Sequence, residues 1–144
     1  MKTSEFDGIQ IKTIENVAFI IEHNFGADDK RINFHKQYII TTGAKMMSLA
    51  EDIFMLAKYA NSIYPDNMAQ YWERNMAIKK ARAKIFSLLG FYQASLKILD
   101  VDDNKYTDHL RHLKHQANCM KNWLESDKET YKKKSWYDVK LVVL

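Results

Sequence analysis

One recurrence constrains this chain more than any other feature: between Asn67 and Leu99, Tyr71, Ile78, Ile85, Tyr92 and Leu99 return every seventh residue. Met68, Leu89 and Leu96 fill the interleaved positions. An apolar stripe with that period suits a long helix packed in a bundle and cannot alternate as a strand. Trp72, Met76, Ala83 and Phe86 widen the stripe beyond what one partner needs, so at least two neighbouring helices are expected. Among these positions sit Lys79, Lys80, Arg82 and Lys84, a concentration of positive charge that core-building does not require.

The rest of the chain repeats the pattern. Ile11, Ile14, Val17, Ala18 and Ile21 define a first helix over 10–24, stopped at Gly26. A polar loop, ADDKRINFHKQ, follows, with Lys30, Arg31 and Lys36 as a second basic spot beside His35. A second helix over 38–62 carries Ile39, Gly43, Met46, Ala50, Ile53, Ala57 and Ala60, whose small members allow close helix approach. Pro65 breaks it, and Asp66 or Asn67 can cap the central helix. After an acidic turn in which Asp102 or Asp103 can cap, Tyr106, Leu110, Leu113, Ala117, Met120 and Leu124 mark the last long helix. With four glycines and one proline in 144 residues, the expected fold is all-α, an up-and-down four-helix bundle over 1–126. Residues 127–144 form a basic, then hydrophobic, tail. Trp136, Tyr137, Leu141, Val142 and Leu144 are too apolar for an idle end. They fold back or dock on a partner, and the partner is the reading taken here, with a β-prone end able to join a sheet edge.

Charge is distributed unevenly. The net +4 combines a net of −4 over residues 1–29 with +8 over the remainder, which points to a polyanion or an acidic protein surface as partner. No apolar run approaches the roughly 18 residues of a membrane span, and a soluble, cytoplasmic protein without a membrane partner is expected.

Catalytic patterns are missing. No Glu is followed three residues later by His, and no glycine-rich phosphate loop, nucleophile elbow or H-E-x-x-H sequence occurs. No enzyme activity, cofactor or metal is therefore expected. The competing reading from another class is a metal- or ligand-binding bundle using His109, His112, His115 and Cys119, spaced along one helix with Asp108. That stripe is interleaved with Arg111 and Lys114 and lies opposite the Leu110 and Leu113 seam, which favours an exposed basic strip. Arg82 falls on a seam position between Ile78 and Ile85 and is expected to be buried at a contact between protomers, paired with a carboxylate and with its aliphatic stem packed.

Taken in order, a basic loop, Gly43-x-Lys45-Met46 opening a long apolar helix, a central helix ending in a leucine-rich turn, and Tyr106-x-x-x-Leu110 leading to Trp123-Leu124 resemble the accessory variability determinant (Avd) family of diversity-generating retroelements. Where relatives often carry a glycine pair before the tryptophan, this chain has Lys121-Asn122. Bundles encoded in ribosomal RNA intervening sequences are similar in outline and supply the alternative, an RNA-binding or structural role. The Avd resemblance implies a ring-shaped homo-oligomer, pentameric in that family, that binds RNA and DNA and assists a reverse transcriptase in copying template RNA into mutagenised cDNA. The nucleic-acid contacts expected are Lys79, Lys80, Arg82 and Lys84, with Arg111, Lys114 and Lys121 on the neighbouring helix and Lys30, Arg31 and Lys36 in the loop.

Overall fold

The computed structural model describes Ile11, Glu15 and residues 33–98 and 103–142. Within these, three long helices and one short one follow in order: α1 (Asn33–Ser62), α2 (Met68–Ile98), α3 (Asp103–Tyr131) and α4 (Val139–Val142). Among the described residues there is no strand, and no helix is long and apolar enough to cross a membrane.

α2 is the middle layer, with α1 packed on one side and α3 on the other. Its seam reads as expected: Tyr71, Ile78, Ile85 and Tyr92 are buried, joined by Ala77, Ala81, Leu88 and Leu96. α1 contributes Met46, Ala50, Ile53, Ala57 and Ala60, and α3 contributes Leu113, Ala117 and Met120. Alanines on both sides of the α1/α2 contact leave no bulk to hold the axes apart. Each fully buried isoleucine in this layer stabilises the fold by about 1.5–3 kcal/mol relative to exposure. The cross-helix contacts fix antiparallel directions: Tyr59 meets Glu73 while Lys84 meets Asp52, and Arg74 meets Asp127 while Arg82 meets Ala117.

The α1/α2 turn is built by its own residues. Ile63 N–H donates to Ala60 O at 3.2 Å, Ser62 Oγ donates to Tyr59 O at 2.6 Å, and Pro65 is buried. Asn67 is the cap: its Oδ1 accepts from Gln70 N–H at 2.9 Å, while Gln70 Oε1 accepts from Asp66 N–H at 2.7 Å. This reciprocal pairing satisfies donors that a helix start otherwise leaves open.

Several boundaries differ from the sequence expectation. α1 begins at Asn33, so residues assigned to a polar loop, Lys36 among them, are helical. α3 runs unbroken through residue 126 to Tyr131, because Asp127 points inward to Arg74 and Tyr131 meets Tyr71 edge to face. The expected β-prone end is a helical turn instead, started by Asp138, whose carboxylate accepts from Lys140 N–H at 3.0 Å. Of the expected first helix only Ile11 and Glu15 are described; both are helical, and Ile11, assigned to the inward face, is 49% exposed. The remainder of that helix, Lys30, Arg31, Leu99 and Leu144 lie outside the described residues.

Candidate nucleic-acid interface

The four cations of the central helix do not form one patch. Residues one turn apart share a helix face, so Lys80 and Lys84 look one way and Lys79 and Arg82 another. Contacts confirm the division. Lys84 Nζ reaches Asp52 Oδ2 on α1 at 3.1 Å, and Arg82 Nε donates to Ala117 O on α3 at 3.3 Å. Within the chain the partner of Arg82 is a main-chain carbonyl.

Around this contact the α2/α3 groove gathers charge. Lys114 and Lys121 stand one turn before and one turn after Ala117, and both are exposed, as is Lys79 on α2. Lys128 continues the heptad of Lys114 and Lys121 along α3 and is exposed as well. The seven-residue repeat of these lysines was readable in the sequence, but Lys128 lay beyond the assumed end of the helix. Arg111 leans along its own helix to Asp108, 3.7 Å away, an exposed pairing of little energetic weight. Lys36 sits near the start of α1, away from the Arg82–Ala117 contact in sequence.

Two aromatic rings accompany these cations. The Lys79 ammonium lies 5.5 Å from the centre of the Trp72 ring, and the Arg82 guanidinium lies 5.1 Å from the centre of the Phe86 ring. The geometry suits cation–π attraction, and it holds both cations near the outer surface of α2.

The tail departs from the expected partner element. Trp136 and Tyr137 are half-buried and fold back onto Tyr71, with ring centres 6.3 and 5.4 Å from it, and Tyr131 closes the cluster at 5.7 Å. Tight turns through Lys134 and Tyr137 reverse the chain to make this possible. Burial, reinforced by the Tyr137 phenol, pushes the Tyr71 hydroxyl well above its usual ionisation range. Leu141 and Val139 stay exposed, and Leu141 borders an apolar pocket of about 310 Å³ with Met68, Ala69 and Trp72. The backbone of Val142 ends α4.

The histidine stripe on α3 is only partly exposed. Asp108 and His115 face solvent, His109 and His112 are half-buried, and Cys119 is 8% exposed with its Sγ 3.5 Å from His115 Nε2. Cys119 is thus a small buried residue beside the helix core. Among the described residues no group of three His, Cys, Asp or Glu side chains could hold a metal ion.

No family model, curated protein or solved structure matches this chain.

Proposed function

We propose that this chain is a nucleic-acid-binding accessory subunit, folded as an up-and-down four-helix bundle, that assists a reverse transcriptase in mutagenic cDNA synthesis from a template RNA. The observation that carries the binding role is the α2/α3 contact, where Arg82 of one helix reaches Ala117 O of the next between the exposed Lys114 and Lys121, with Lys79 exposed one turn before Arg82. Sequence-distant cations brought to one groove attract phosphates and release condensed counterions, which makes binding tolerant of sequence and sensitive to salt. The enzyme partnership rests on the Avd resemblance through Gly43-x-Lys45-Met46, Tyr106-x-x-x-Leu110 and Trp123-Leu124. A homo-oligomer, pentameric by the same resemblance, belongs to the proposal, and the exposed Met55 and Tyr59 on α1 are apolar surface that such a contact would cover.

With Trp136 and Tyr137 turned inward, the protein contact falls to Val139 and Leu141. The acidic N-terminal segment, in which Glu15 is exposed, offers a second surface for an enzyme that is basic on its template side. RNA bridging the two cationic proteins strengthens the complex.

The test combines two measurements. Reversing Lys79, Lys114 and Lys121 to Glu lowers RNA affinity and flattens its salt slope, whereas reversing Lys80 and Lys84, on the α1 side, has the smaller effect. Unchanged affinity in the first variant rejects the groove as the binding surface. Co-purification with a reverse transcriptase encoded beside this chain, with and without nuclease, tests the partnership, and its absence under both conditions rejects it.

A further inference from the structure

The outer stripe of α2 is neither plainly apolar nor plainly basic. Trp72, Lys79 and Phe86 recur on it at seven-residue spacing, and Phe86 keeps 48% of its surface in solvent. Its ring is not loose. The Arg82 guanidinium stands over it at 5.1 Å and is itself held by Ala117 O, so the ring is braced from α3. The surface on either side of the ring is low. Ala83, one turn before it, and Gly90, one turn after it, are both exposed, and a Cβ added at Gly90 would meet nothing within 4 Å.

We infer that Phe86 is a stacking platform for an unpaired base, so that the α2/α3 groove takes single-stranded nucleic acid in preference to duplex. The inference rests on the nucleic-acid reading above and adds the class of ligand. A half-exposed aromatic ring with low surface on either side, a guanidinium over it and exposed lysines on both helices matches a single strand, whose bases offer free π-faces between phosphates. In a duplex those faces are already stacked on one another, and Phe86 gains nothing from it. Lys79 on α2 and Lys114 and Lys121 across the groove supply the phosphate contacts, while Trp72 lies about 21 Å further along the same stripe, from the 1.5 Å rise per residue. A second copy of the chain fits the stripe less well, since a two-fold contact through it would set Lys79 and Arg82 against their own equivalents.

The experiment measures fluorescence anisotropy of a labelled oligothymidylate and of a duplex of equal length. It uses the full chain, Phe86→Leu, Phe86→Tyr, and the Lys114→Glu/Lys121→Glu pair, with light scattering on each protein. Phe86→Leu is expected to weaken single-strand binding about tenfold, at the scale of one lost base–aromatic stack, without changing duplex affinity or the salt slope. Phe86→Tyr restores it. Equal single-strand binding by wild type and Phe86→Leu overturns the stacking role, while loss of both ligands in the lysine pair would still uphold the groove. Equal loss of single strand and duplex in Phe86→Leu, together with a smaller particle mass, overturns it in favour of a contact between copies. No binding of either ligand by the wild-type chain overturns both readings.

Discussion

Arg74 and Asp127, 53 residues apart, form a two-pronged ion pair inside the fold: Nε donates to Oδ2 at 2.7 Å and Nη2 donates to Oδ1 at 2.8 Å. Arg74 also donates through Nη1 to Ile63 O at 2.9 Å, and its guanidinium lies 5.3 Å from the centre of the Trp123 ring. One side chain thereby ties the α1/α2 turn, the first half of α2 and the last turns of α3. Both partners are about nine-tenths buried, so neither charge has water to fall back on.

Asp127→Asn is therefore expected to destabilise the protein by about 3–5 kcal/mol, the scale of stranding a buried charge. Replacing both residues together, Arg74→Met with Asp127→Leu, is expected to cost less than the single change. Urea unfolding of the double variant beside its two single changes, Arg74→Met and Asp127→Leu, checks this, and additive losses would mean the pair is not coupled.

Truncation after Ser135 removes Trp136 and Tyr137 from Tyr71 and uncovers Met68 and Trp72 beside Leu141. The expected result is a chain that keeps its helical circular dichroism but loses about 2 kcal/mol of stability, the order of one or two large apolar side chains. A thermal melt reads it, and an unaltered midpoint would show that the tail adds nothing to the fold.

Tyr71 gives a pH-dependent expectation. Its buried hydroxyl has no hydrogen-bond partner of good geometry, and burial raises its pKa above the 10.0 of a free phenol. The unfolded chain therefore releases this proton first, so its contribution to stability is constant below about pH 10 and declines above it. Tyr71→Phe should be close to neutral at pH 7, since no satisfied hydrogen bond is lost, and should resist alkaline unfolding better than wild type. A variant markedly weaker at pH 7 would mean that the hydroxyl is bonded in solution.

Mutating the groove separates charge from packing. Lys114→Glu and Lys121→Glu lie on exposed positions of α3 and are expected to leave the melting temperature within a few degrees while weakening RNA binding at low salt. Equal RNA binding at low salt would place the phosphate contacts elsewhere, with Lys36 the next described candidate.

The sequence by itself determined the three long helices of the described residues and the faces they turn to the core. Seven-residue spacing is a property of one element, and it carried through to Tyr71, Ile78, Ile85 and Tyr92 in the core and to Asn67 as the cap. The same logic failed at the end of α3, because what extends that helix past residue 126 is an inward carboxylate matched by an arginine 53 residues away. It failed again for the tail, whose aromatic residues suit a partner or the chain's own Tyr71 equally well until both are placed in space. The basic cluster shows the difference most sharply. Lys79, Lys80, Arg82 and Lys84 are one run in the sequence, yet a rotation of about 100° per residue sends Lys84 to Asp52 on one neighbour and Arg82 to Ala117 on the other. Only packing decides which helix stands on each side, and so which distant lysines complete the groove.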